Sequence, residues 1–174
     1  MDICKIRFTR LQSSILRLLC IKAGSKMHQR SIAKTLNVSP TAVSKALQNL
    51  AYIKIEKALT KEVELNRDDP EAVHYKRTEN LRMIYESGLA EYLTERNPGA
   101  AIILFGSYSY GEDTTKSDID IAILGKKKKI DTTSFEKTLQ RPINIQFYED
   151  FRNINKNLKT SVINGVILNG IVEI

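Results

Sequence analysis

Residues 100–105, AAIILF, are an unbroken apolar run between Gly99 and Gly106, and twelve positions beyond Gly106 the chain reads DIDIAIL. The first segment fits a strand buried on both faces. The second alternates with period two, so Asp118 and Asp120 are expected to project from one face of a strand spanning 118–124. Two carboxylates on one face of a buried strand are costly unless something compensates their charge. Divalent cations held by carboxylate oxygens, with phosphate oxygens completing the shell, supply that compensation. Gly106-Ser107 falls at the turn from the first strand into a helix, where free N–H groups and a hydroxyl suit a phosphate.

The stretch FGSYSYGEDTTKSDIDIAIL resembles the core motif of the polymerase β-type nucleotidyltransferase superfamily, and within it the minimal nucleotidyltransferases. The resemblance covers about residues 99–150. It implies a small mixed sheet with helices on one side. It also implies a metal–nucleotide site in which Gly106 and Ser107 hold the phosphates of an NTP, ATP foremost. Asp118 and Asp120 would bind Mg²⁺ there. The family draws a third carboxylate from a later strand, with the pattern hydrophobe-Asp-hydrophobe. In RPINIQFYED that position is Asn144, which completes the implied catalytic set with Asp118 and Asp120. An amide oxygen can ligate a cation, but it carries no charge and cannot act as a base at neutral pH. Glu149 and Asp150 follow past the strand. Tyr108 and Tyr110 stand where many minimal members carry Arg, and Lys116 is expected to supply some of that missing charge to the nucleotide.

Charge divides the chain. Residues 1–61 hold 12 Lys/Arg against 2 Asp/Glu, residues 62–98 hold 5 against 9, and residues 99–174 hold 10 against 9. A basic N-terminal unit points to a polyanion partner. Leu11, Ile15, Leu18 and Leu19 follow helical spacing, Ile32, Ala33 and Leu36 mark a second short helix, and Val43, Leu47 and Leu50 mark a third. Ser39 and Pro40 open the third helix as N-cap and first helical residue. YIKIEKALTKEVELN then alternates around a turn near Leu59-Thr60, as a two-stranded wing would. Residues 10–66 resemble the winged helix-turn-helix of MarR- and ArsR-type regulators. DNA is the implied partner, contacted by Thr41, Ser44, Lys45 and Gln48 on the outer face of the third helix.

Between these modules, Asp69-Pro70-Glu71 opens a helix whose apolar residues (Val73, Leu81, Ile84, Tyr85, Leu89, Tyr92, Leu93) reach Asn97-Pro98-Gly99. The expected fold class is α+β: a winged helix-turn-helix at 1–68, a long connecting helix at 69–98 and a small mixed-sheet nucleotidyltransferase domain at 99–174. The connecting helix is a candidate dimer seam. Lys126–Lys129 read as a solvated loop. SVINGVILNGIVEI reads as a helix closing at Asn164-Gly165, then an edge hairpin turning at Asn169-Gly170. Cys4 and Cys20 lack metal-ligand spacing and read as free buried thiols, consistent with a reducing cytoplasm. No apolar run approaches the roughly 18–20 residues that cross a bilayer, and the start shows no signal-peptide pattern. The acceptor of the transferred group is open between a small molecule and a protein hydroxyl, such as a Tyr of a toxin-like partner.

Overall fold

The computed structural model describes residues 8–57 and 61–172, in two compact units that divide between Val73 and His74.

The first unit combines three helices with a three-stranded antiparallel sheet. Helix α1 (Arg10–Ile21) opens on a capping box: the Gln12 N–H donates to Thr9 Oγ1 at 3.3 Å and the Thr9 N–H to Gln12 Oε1 at 2.9 Å. Two donors left over at the helix start are thereby satisfied. Strand β1 (Met27–His28), α2 (Gln29–Thr35) and α3 (Pro40–Ala46) follow. Ser39 caps α3 by accepting from the Ala42 N–H, and Pro40 takes the first helical position, as the sequence predicts. Ile15, Leu19, Ile32, Val43 and Val63 are core residues.

Helix α3 ends a turn earlier than its apolar spacing predicts. Asn49 adopts φ 60° just beyond Leu47, its C-cap, and a left-handed Asn is a common helix stop. Gln48 therefore lies in the turn after α3 instead of on its outer face. Strands β2 (Ile53–Lys57) and β3 (Lys61–Leu65) pair with Ile53 opposite Leu65 and Ile55 opposite Val63, matching the predicted alternation. The expected turn at Leu59-Thr60 lies outside the described residues. The two-residue β1 joins the sheet beside β3 and is too short to show a period in the sequence.

Helix α4 (Pro70–Glu86) spans the division between the units, and α5 (Leu89–Arg96) follows it. The segment expected to be one connecting helix over 69–98 is thus two. Gly88 takes φ 77° between them, a conformation that breaks a helix and that glycine adopts without strain. The buried face of α4 also differs from expectation. Ile84 is buried as expected, but Tyr85 is half exposed and Ala72, Lys76 and Asn80 are buried in its stead.

The rest of the second unit runs β4 (Ala101–Phe105), α6 (Gly106–Tyr110), β5 (Ile119–Leu124), α7 (Thr133–Leu139), β6 (Ile143–Tyr148), a 3₁₀ turn (Phe151–Asn153), α8 (Lys156–Ile163) and β7 (Val166–Asn169). The sheet order is β6-β5-β4-β7. β5 and β6 are parallel, and β4 is antiparallel to both its neighbours. Every residue of β4 is buried, as its unbroken apolar run predicts. On one face Ile103, Phe105 and Ala122 pack with Phe151, Ile154 and Val162. On the other, Leu104 lines a cavity of about 210 Å³ with Arg77, Thr78 and Leu81 of α4. Helices therefore cover both faces, where the family resemblance implied one. A central strand with no polar face requires that cover.

At the C-terminus α8 closes at Asn164 as expected, but β7 pairs with β4 and the Asn169-Gly170 hairpin is absent among the described residues. Gly170 instead passes close to Ala100, whose carbonyl oxygen would lie 2.6 Å from a Cβ. β7 remains an edge strand, as predicted. Cys20 is a buried thiol that forms no disulfide among the described residues, and Cys4 lies outside them. No described helix is long and apolar enough to cross a membrane.

Candidate functional site

Antiparallel pairing places Phe105, the last residue of β4, opposite Asp120 of β5. The chain leaves β4 through Gly106 at φ 73°, and a Cβ there would stand 2.7 Å from Asp120 Oδ2. Glycine is thus required both for its backbone and for its nearness to the carboxylate. Ser107 follows as the second residue of the short α6. The Ser109 hydroxyl donates to the Gly106 carbonyl at 2.8 Å, and the Glu112 N–H to the Ser107 carbonyl at 2.9 Å, closing the turn.

Parallel pairing sets Asn144 of β6 opposite Asp120 from the other side. Its Nδ2 donates to Asp120 Oδ1 at 3.0 Å. Two strand pairings therefore bring Gly106, Asp120 and Asn144 to one spot. Asp118 lies one residue before β5 and is exposed, whereas Asp120 is partly buried; the strand begins at Ile119 and not at Asp118. Lys116 is exposed in the preceding loop, where its N–H donates to Thr114 Oγ1.

Tyr108 and Tyr110 are held by contacts of their own. Tyr108 is buried with Lys76 Nζ 5.7 Å from its ring centroid, and the Tyr110 hydroxyl donates to the Ser161 carbonyl of α8. Asp150 is also committed. It caps the 3₁₀ turn, accepting from the Arg152 N–H at 2.7 Å and from Arg152 Nε at 2.9 Å. The hydrogen-bonded guanidinium of Arg152 holds its carboxyl down at about 2, against an ordinary 3.8. The small stabilisation from this contact is complete above the ordinary value and disappears as pH falls through about 2. A carboxyl titration followed by NMR should place Asp150 near that value, and Arg152→Ala should raise it.

A second constellation was not legible in the sequence. The Asp113 carboxylate, buried in the loop between α6 and β5, accepts from Lys76 Nζ, from Asn80 Nδ2 at 2.7 Å and from Arg141 Nη2 at 3.3 Å. Asn80 Nδ2 also donates to the Tyr108 carbonyl at 2.9 Å. All these side chains are buried. The loop joining Gly106-Ser107 to Asp118 and Asp120 is thus fastened in its middle to α4 and to the chain entering β6. The one available signal was the i, i+4 spacing of Lys76 and Asn80; an acid in a Glu-Asp-Thr-Thr loop ordinarily reads as solvated.

Among the described residues, no group of three or more His, Cys, Asp or Glu side chains is placed to hold a metal ion. The donor set nevertheless fits a Mg²⁺ bound with its nucleotide. Magnesium commonly rests on one or two carboxylates plus substrate phosphates, and Asp120 faces a turn that admits no side chain at Gly106. In the first unit, Thr41 and Lys45 are exposed on α3, Ser44 is partly buried, and Gln48 is exposed beyond the helix. Beside them His28, Gln29, Arg30, Ser31, Pro40 and Lys61 line a concavity of about 490 Å³.

The family model described as polymerase beta, nucleotidyltransferase matches residues 86–172, half of the chain. The chain belongs to this family. No curated protein and no solved structure matches it.

Proposed function

We propose that the second unit transfers a nucleoside monophosphate from an NTP, ATP foremost, to an acceptor hydroxyl, and that the first unit is a winged helix-turn-helix that binds DNA. The transfer reading is carried by Asp120 lying against Gly106, with Asp118 two residues before it, in a nucleotidyltransferase family member. The Gly106-Ser107 turn receives the phosphates through backbone N–H groups and the Ser107 hydroxyl. Mg²⁺ bound by Asp118 and Asp120 would neutralise charge on the transferring group. The acceptor oxygen forms a bond to the α-phosphorus, the bond to the β-phosphate breaks, and pyrophosphate leaves. Asn144 orients Asp120 through its N–H and cannot take the acceptor's proton. That proton passes to solvent or to a base on the acceptor. A protein acceptor, such as a tyrosine of a toxin-like partner, suits this chemistry as well as a small molecule does.

DNA binding is supported by the basic N-terminal charge, by exposed Thr41, Lys45 and Gln48, and by the neighbouring concavity with Arg30 and Lys61. The reading places the protein in the cytoplasm. The test of transfer uses α-labelled ATP and Mg²⁺ in a cell lysate. Label should move to an acceptor with the wild type and not with Asp118→Ala/Asp120→Ala; undiminished transfer by the double variant refutes the mechanism.

A second reading is favoured by the amide of Asn144 on Asp120: a regulator or antitoxin-like protein whose transferase unit binds nucleotide without turnover. It is distinguished by DNA affinity that changes with Mg·ATP while no label is transferred, and by stoichiometric copurification of a partner.

A further inference from the structure

The hydrogen bond between Asn144 and Asp120 bears on how many cations the site can carry. We infer that this site takes one divalent cation with its nucleotide and not two, and that Asn144 sets that number. The inference rests on the nucleotide-site reading above and goes beyond it.

The two oxygens of Asp120 face different groups. Oδ2 lies toward Gly106, 2.7 Å from where a Cβ would be, on the side where the turn receives phosphate. Oδ1 faces β6 and accepts the Asn144 N–H at 3.0 Å. An amide nitrogen is a donor only, so the side of Asp120 nearest β6 meets a partial positive charge. A cation bridging Asp120 and position 144 would have to displace that hydrogen bond and would find a neutral ligand in return. Asp120 Oδ2 remains available for a single ion, with phosphate oxygens and with Asp118 two residues earlier in the chain.

Charge points the same way. Paired catalytic cations sit about 3.5–4 Å apart, and their mutual repulsion is tolerable only with several negative ligands shared between them. Here two carboxylates are on hand. Two nearby acids are committed elsewhere: Asp113 is buried against Lys76 and Arg141, and Asp150 is bound by Arg152 past the end of β6. No third acid joins Asp118 and Asp120 among the described residues. A charge at position 144 would supply what is missing, because parallel register already sets that residue opposite Asp120.

The count can be read directly, without any activity. The full chain is loaded with α,β-methylene-ATP, which cannot be cleaved at the bond in question, and titrated with Mn²⁺ while free ion is followed by electron paramagnetic resonance. Wild type should bind one Mn²⁺ per loaded chain and Asn144→Asp two. Asn144 is exposed, so the variant is expected to fold, and its melting curve checks this. Two ions on the wild type, or one on a folded Asn144→Asp, would overturn the inference while leaving the nucleotide site standing. Absence of Mn²⁺-dependent analogue binding to the wild type would overturn both.

Discussion

Asp113→Ala is expected to lower the melting temperature of the second unit by roughly 15 °C or more. The carboxylate is buried between the Lys76 ammonium and the Arg141 guanidinium and also holds Asn80. Removing one partner from a buried ion cluster leaves charge in a low-dielectric interior, at a cost of about 3–5 kcal/mol. In a unit of this size each kcal/mol moves the midpoint by about 4–8 °C. Asp113→Asn keeps the acceptor oxygen and loses the charge, so it should fall between Ala and wild type. Asp150→Ala is the contrasting case, since its partner Arg152 is exposed and surface pairs contribute little. Thermal unfolding followed by circular dichroism measures all three. An Asp113→Ala midpoint close to that of Asp150→Ala would mean that the buried cluster does not fasten the loop.

Gly106→Ala should weaken Mg·ATP binding by at least about tenfold, a loss of roughly 1.4 kcal/mol. Two costs coincide at this position. Alanine at φ 73° is strained by about 1–2 kcal/mol, and its Cβ would enter the space of Asp120 Oδ2. Relief requires Asp120 to move, and Asp120 is the proposed cation ligand. Gly88→Ala separates the two effects. Gly88 has nearly the same φ, with nothing within 4 Å of where an alanine Cβ would lie, so that substitution should cost strain alone and leave nucleotide affinity unchanged. Isothermal calorimetry on both variants reads the difference. Equal affinities would remove Gly106 from the site.

The parts of this protein that short-range pattern controls were legible in its sequence. The run AAIILF became a central strand buried on both faces, and the alternation of IDIAIL and INIQF fixed which residues share a face. Period alone does not pair one strand with another: the resemblance to the nucleotidyltransferase family singled out Asn144, and the parallel register sets it opposite Asp120. Helix ends were less legible because single residues decide them. Asn49 stops α3 and Gly88 splits the connecting segment, each through a left-handed φ that helical apolar spacing runs straight past. The Asn169-Gly170 pair is a strong local turn signal, yet β7 finds its partner far away in the chain. The vacant edge of β4, more than 60 residues earlier in the chain, won the pairing. Least legible was the Asp113 cluster. Its four members come from α4, the α6–β5 loop and the approach to β6, and no pattern along the chain marks polar residues of three distant segments as mutually buried.

The central claim is that Gly106, Asp118 and Asp120 form a Mg²⁺–nucleotide site, and titration calorimetry with Mg·ATP tests it most directly. The wild type should bind one nucleotide per chain, saturably and only with Mg²⁺ present. Asp118→Ala/Asp120→Ala should retain its fold and bind at least about a hundredfold more weakly. A folded double variant that binds Mg·ATP as tightly as the wild type would contradict the assignment.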